Sequence, residues 1–353
     1  MPKRVVVVAA AAVLLVTAAV VGGVTWWHRA HRTDLERALA LVPEGSLRVS
    51  FTDWAAIRQR LGVHGTDRAA VRRLQNKAYD DDLSAASSVD EEGVALQRLY
   101  GFGPATATWE AYAQSRHGAA LVLRLPDDTD FERLASRLRD IGYKQPAIDD
   151  GVWRGGVDLI ASLDPSLNPE VQYVVLLADQ HLVVTSDSPT YAATAARVAA
   201  GDGTSLADLD SARTMVDTLA EPAAAVLWSH DFACRDLAMS QAAPGDQRQA
   251  DQLIEQAGQV SPLSGLVMAM APDRTLTVAE QFESTDQARE NLRARAKLAV
   301  GEAVGRGGSF ADDFRLTSAK ATGSTVLLTM KPKQHTGFVL SALYDGPVIF
   351  ATC

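Results

Sequence analysis

The sequence predicts an α+β protein: an N-terminal transmembrane helix followed by two similar lobes of mainly antiparallel sheet with packed helices. Three observations carry this expectation. Residues 5 to 24 form an almost unbroken apolar run. Beyond it, short segments of strand character recur, several of them paired across turn residues. Between these lie helical segments opened by Ser, Thr or Asp, and the order of strands and helices occurs twice.

The apolar run, VVVVAAAAVLLVTAAVVGGV from Val5 to Val24, has Thr17 as its one polar residue. Twenty residues at about 1.5 Å each span a hydrocarbon core of roughly 30 Å. Trp26 and Trp27 follow, where an interfacial aromatic belt belongs. A cleaved signal peptide has an apolar core of about 7–15 residues and a small-residue cleavage site. An uncleaved single-pass membrane anchor is therefore expected, and no cysteine stands near its end to carry a lipid. Lys3 and Arg4 precede the run and Arg29 and Arg32 follow it, so the flanking charge is nearly balanced. One anchor ahead of a long domain favours a body outside the cytoplasm. The expected division is an anchor at 1–32, a first lobe with a helical insertion at 33–210, and a second lobe at 211–353.

The chain has a formal net charge of −9. Its first 32 residues hold four bases and no acid, and from Thr33 onward 30 basic residues face 43 acidic ones, a net −13. An acidic body is a poor partner for the phosphate backbone of nucleic acid, and none is expected.

Along the body, TDLERALALV reads as a short helix with a Thr33/Glu36 capping box. Leu47, Val49 and Phe51 alternate with polar residues as a strand. Asp53 then caps WAAIRQRL, which ends at Gly62. Residues 65–116 read as mostly helical, with the acidic runs 80–82 and 90–92 on a solvated face and a Ser88/Glu91 capping box. Ala119 to Leu125 is a strand, and Thr129/Glu132 box the next helix. Hairpins are expected at 171–187, 266–282 and 314–330, turning near Asp179-Gln180, Pro272-Asp273 and Thr322-Gly323. Ser188 with Pro189, Ser284 with Gln287, and Thr336 open helices. Asp231 caps FACRDLAM after the strand Ala223 to Trp228, and VIFATC closes the chain as a strand.

FTDWAAIR, CRDLAMSQA and the ending GPVIFATC resemble segments of single-pass, membrane-anchored exported proteins of high-GC Gram-positive bacteria. The resemblance spans nearly the whole chain. It implies anchoring and export and brings no catalytic signature.

Cys234 and Cys353 are the only cysteines, so one internal disulfide can form; two buried free thiols are the alternative. Such a bridge would suit an oxidising compartment. The seven histidines, His28, His31, His64, His117, His181, His230 and His335, include no HExxH spacing, and no CxxC pair exists to hold zinc. GxSxG, SxxK and Walker motifs are missing from the sequence. Ser229, His230 and Asp231 name the residue types of a hydrolase triad, but adjacent residues do not assemble one. Trp54, Trp109, Trp153 and Trp228 suit a core more than a sugar site. No catalytic, metal or cofactor-binding residue is assigned. The expected function is a membrane-tethered extracytoplasmic binding or interaction module for an envelope protein or a wall or lipid component. An envelope hydrolase with a dispersed carboxylate pair, or a lipid carrier, are the alternatives.

Overall fold

The structure, a computed structural model, describes residues 32–353 except 259, 335, 336 and 345. The apolar run at 5–24 lies outside the described residues, and no helix within them is long and apolar enough to cross a membrane. Eleven strands form one sheet: β1 (Ser46–Thr52), β2 (Trp109–Ser115), β3 (Gly118–Arg124), β4 (Trp153–Arg154), β5 (Tyr173–Leu177), β6 (Leu182–Ser186), β7 (Ala224–Ser229), β8 (Gly265–Met270), β9 (Leu276–Gln281), β10 (Phe314–Thr322) and β11 (Thr325–Pro332). Their order is β10-β11-β9-β8-β7-β1-β2-β3-β6-β5-β4, and every pairing is antiparallel.

The order reads alike outward from the centre. From β1 the strands run β2, β3, β6, β5; from β7 they run β8, β9, β11, β10. The twofold order expected from the sequence is present, but the two halves do not form separate sheets. They join where β1 pairs with β7, from Arg48↔Trp228 to Thr52↔Ala224. β5, β6, β7 and β8 are buried almost throughout because helices cover both faces. Their near-continuous apolar sequences have that cause. On one face Phe51, Val122 and Leu227 pack with the helices Asp34–Leu39, Pro189–Ala199 and Asp210–Val216. On the other, Leu121, Val226 and Trp228 pack with the helices Trp54–Leu61, Phe131–Asp140 and Thr285–Leu298.

Many local expectations hold. Thr33 and Glu36 form their capping box, Asp53 accepts from Ala56 N–H at 2.8 Å, Gly62 is left-handed at φ 61°, and Ser188 accepts from Tyr191 N–H ahead of Pro189. All three hairpins turn where expected. Other expectations are corrected. β2, paired with β1 and β3, is a strand inside the segment read as helical; its buried Glu110 masks the alternation that would have marked it. The cap of Phe131–Asp140 is Asp130, not Thr129. Ser284 accepts from Gln287 N–H, but the Gln287 side chain returns to Glu283 N–H instead of closing the box on Ser284. Ser88 and Glu91 open no helix; Gly93–Leu99 begins after Glu92 with no side-chain cap. The acidic runs are only partly solvated: Asp82 and Glu92 are buried. The C-terminal VIFATC is a single 3-10 turn, Ile349–Ala351. Thr336, expected as a cap, is outside the described residues, and the helix beyond it is the short Ser341–Tyr344.

Candidate functional site

The sheet ends in an incomplete edge. β4 has two residues and pairs only with Val174 and Tyr173, so Val175 to Leu177 have no strand on their outer side. The segment 141–152 arches past this edge, from the helix Phe131–Asp140 to β4. Two hollows, of about 490 and 390 Å³, flank it and share Pro146, Ile148, Asp150, Leu177 and Ala200. Ile148 is 66% exposed at the tip of the arch, and Val157, just past β4, is 65% exposed. Trp153 lines the smaller hollow, and its buried indole N–H has no hydrogen-bond partner. Val175, Leu176 and Leu177 are themselves buried under the arch, and the hollows mix apolar residues (Pro146, Ile148, Leu177, Ala200) with charged ones such as Asp150 and Arg154. An extended segment could be added as a strand here only by displacing the arch from β5.

Three carboxylates meet elsewhere. Oxygen atoms of Asp34, Asp53 and Glu221 all lie within 4.8 Å of one another. Glu221 accepts from Asp34 N–H at 2.8 Å, Asp34 pairs with Arg37 at 2.7 Å, and Asp53 caps its helix while its own N–H bonds Ala223 O. Burial raises the Asp53 carboxyl to about 6 and that of Glu221 to about 7, with neighbouring carboxylates adding to both. Oxygen-only ligands of this kind suit a hard divalent cation. Each carboxylate already has a backbone or arginine partner, so architecture accounts for the arrangement without an ion. Residues 34, 53 and 221 share no spacing, which is why the sequence did not reveal the cluster.

Other buried acids hold the helical insertion in place. Glu110 accepts from Trp54 Nε1 at 2.9 Å and Ser88 N–H at 2.8 Å. Glu92 accepts from the Asn168 backbone N–H at 2.6 Å. Desolvation lifts Glu110 to about 7 and Glu92 to about 8. Neither lines any of the larger hollows.

The residues singled out in the sequence do not converge. Ser229 Oγ donates to Ser46 O at 2.6 Å, His230 is exposed at φ 54°, and Asp231 pairs with Arg235 at 2.7 Å without capping its helix. All four tryptophans named above are buried. Cys234 and Cys353, 119 positions apart in sequence, form a disulfide with Cα atoms 5.5 Å apart. Arg295, fully buried, donates to the carbonyls of Phe350, Thr352 and Ser261 and lies 3.7 Å from Glu280. The same chain end is therefore held twice, by a covalent bond and by one guanidinium.

Fold and site together define an α+β protein on one eleven-stranded antiparallel sheet, with an incompletely paired edge strand and a disulfide-closed C-terminus. No protein-family model and no curated protein matches the chain. Among solved structures it is similar to TP0453. Crystal form I has 9% identity, covers 89% of this chain and 100% of that one, and has a TM-score of 0.40. Form III has 9% identity, covers 87% and 96%, and has a TM-score of 0.37. Form IV has 10% identity, covers 84% and 92%, and also has a TM-score of 0.37. At these values the likeness is distant and assigns nothing to this chain.

Proposed function

We propose that this chain is a membrane-tethered, extracytoplasmic binding module that takes a partner protein at the open sheet edge, without catalysis. The observation that carries the reading is the edge itself: Val175 to Leu177 without an outer strand, beside two hollows and the exposed Ile148. An extended segment that displaced the 141–152 arch would gain main-chain hydrogen bonds from the buried β5 and seat alternate side chains in the hollows. The tether rests on the apolar run from Val5 to Val24 and on the resemblance to exported, anchored proteins. Residence outside the cytoplasm is supported by the Cys234–Cys353 bridge, since disulfides persist where glutathione does not reduce them.

The test has two parts. Protease added to intact, wall-stripped cells should digest the body; protection until lysis would refute the topology. A photo-crosslinking residue at position 148 of the tagged full-length protein should then capture a partner from gently solubilised membranes. Recovery of the bait alone, or capture unchanged by Leu176→Pro, would remove the sheet edge as the site.

A second reading, a hydrolase, is favoured by the meeting of Asp34, Asp53 and Glu221, where the raised carboxyls of Asp53 and Glu221 could share a proton. It requires that Glu221→Gln abolish hydrolysis of a wall glycan while leaving the thermal midpoint within a few degrees.

A further inference from the structure

The body is acidic, yet one small hollow gathers cations. It has a volume of about 140 Å³ and lies between the end of the helix Trp54–Leu61, the β8–β9 turn and the end of β11. Arg60, Arg274 and Lys331 line it, together with Thr275, Gln334 and one carboxylate, Asp273. Ion pairs within 4.0 Å among the described residues use other arginines, and none uses these three cations.

Arg274 is the fixed member. It is 3% exposed and sits in the left-handed region at φ 66°, where a long side chain is uncommon. Its Nη1 and Nη2 donate to Gln334 O at 3.2 Å and Gly337 O at 2.5 Å. Its Nε is buried with no acceptor. A guanidinium stays charged in proteins, so that N–H cannot be silenced by losing its proton. Lys331 stands directly across from Arg315 in the β10–β11 register, a like-charge pair on one face of the sheet. Asp273 accepts from Thr275 N–H at 3.0 Å; that bond first, and the charges of Lys331 and Arg60 after it, keep its carboxyl below the usual range. Asp273 is therefore ionised, and the hollow retains two positive charges in excess.

We propose that this hollow is a binding site for one phosphate-type oxyanion. Three cations of differing reach around one small space match a tetrahedral anion: Arg60 offers a forked donor and Lys331 a mobile one, while Arg274, pinned by Gln334 and Gly337, supplies fixed positive charge. A hollow of about 140 Å³ has room for a single phosphate group. A free phosphate ion and a lipid headgroup present the same recognition chemistry.

The experiment is calorimetric titration of inorganic phosphate into the full chain held in phosphatidylcholine nanodiscs, against sodium chloride at matched ionic strength. Saturable one-to-one binding of phosphate is expected, with no such binding of chloride. Arg60→Gln and Lys331→Gln alter exposed side chains and should each weaken binding about tenfold, the effect of one charge-assisted hydrogen bond. Asp273→Asn should tighten it. Arg274→Gln also releases Gln334 and Gly337, so the exposed variants carry the test. Phosphate heats equal to those of chloride, or unchanged binding in both exposed variants, would overturn the proposal. Competition by dihexanoyl phosphatidate separates the sources: displacement of phosphate at lower concentration identifies a lipid headgroup, and its failure to compete identifies the free ion.

Discussion

Replacing Asp53 by alanine should cost about 1 kcal/mol, because its carboxylate caps the helix Trp54–Leu61. Asn at that position keeps the acceptor and removes a charge that burial disfavours, so Asp53→Asn should equal or exceed the parent in urea denaturation at pH 7.5. The corresponding change at Asp231 should stay within about 0.5 kcal/mol, since that residue contributes one exposed ion pair and no cap. A loss at Asp231 as large as that at Asp53 would contradict this assignment. The two aspartates follow strands in the same relation to an aromatic residue. They differ because His230 takes φ 54° and turns the chain, leaving Asp231 at φ −79°, ψ 7°, where Asp53 has the extended ψ 92° of an N-cap.

Between elements, Asp82 is the clip that matters. It follows the helix Arg68–Asp80 closely and accepts from Val339 N–H at 2.7 Å, Ser341 N–H at 3.0 Å and Ser341 Oγ at 2.5 Å. Asp82→Ala strands these donors and should cost about 2–3 kcal/mol. Hydrogen exchange should locate the lost protection at 337–344; loss confined to 68–80 would refute the clip. This contact links residues more than 250 positions apart. The sequence shows only a run of three acids, for which solvation is the ordinary expectation. β2 escaped for a related reason. In WEAYAQS the residues Trp109, Ala111 and Ala113 face one core, but Glu110 on the other side is also buried, bonded to Trp54 and Ser88. β1, the hairpins and the Ser188-Pro189 helix start were legible because their signals are local: alternation, turn residues and a capping side chain.

For the whole molecule, the buried acids set the response to pH. Glu92, Glu110 and Glu280 have carboxyls raised to about 8, 7 and 7, from about 4.5, with desolvation the leading cause in each. Between the unfolded and folded values the folded state binds more protons. Stability from these groups is therefore full below about pH 4.5 and falls as pH rises toward 8. Asp67, Asp164, Asp208 and Asp273, held low mainly by hydrogen bonds, act oppositely and lose their contribution as pH falls through their folded values, below about 3.9. The thermal midpoint should peak near pH 5 and decline toward pH 8; a steady rise over that interval would exclude this account. Removing the disulfide with Cys234→Ser and Cys353→Ser should lower stability by about 4–5 kcal/mol in the chain-entropy account, given its 119-residue separation. Denaturation with and without reductant measures it, and a loss under 1 kcal/mol would show that Arg295 alone holds the chain end.

By itself the sequence determined the α+β class, the turns, several of the helix caps, the one possible cysteine pairing and the expectation of a membrane anchor. Each follows from composition, from neighbours within a few residues, or from there being two cysteines in all. Tertiary structure decided that the two halves share one sheet through β1 and β7, which acids are buried, and where cations and carboxylates collect. Those outcomes depend on residues brought together from distant parts of the chain, by strand register and by burial on both faces of the sheet, and neither leaves a mark in local spacing.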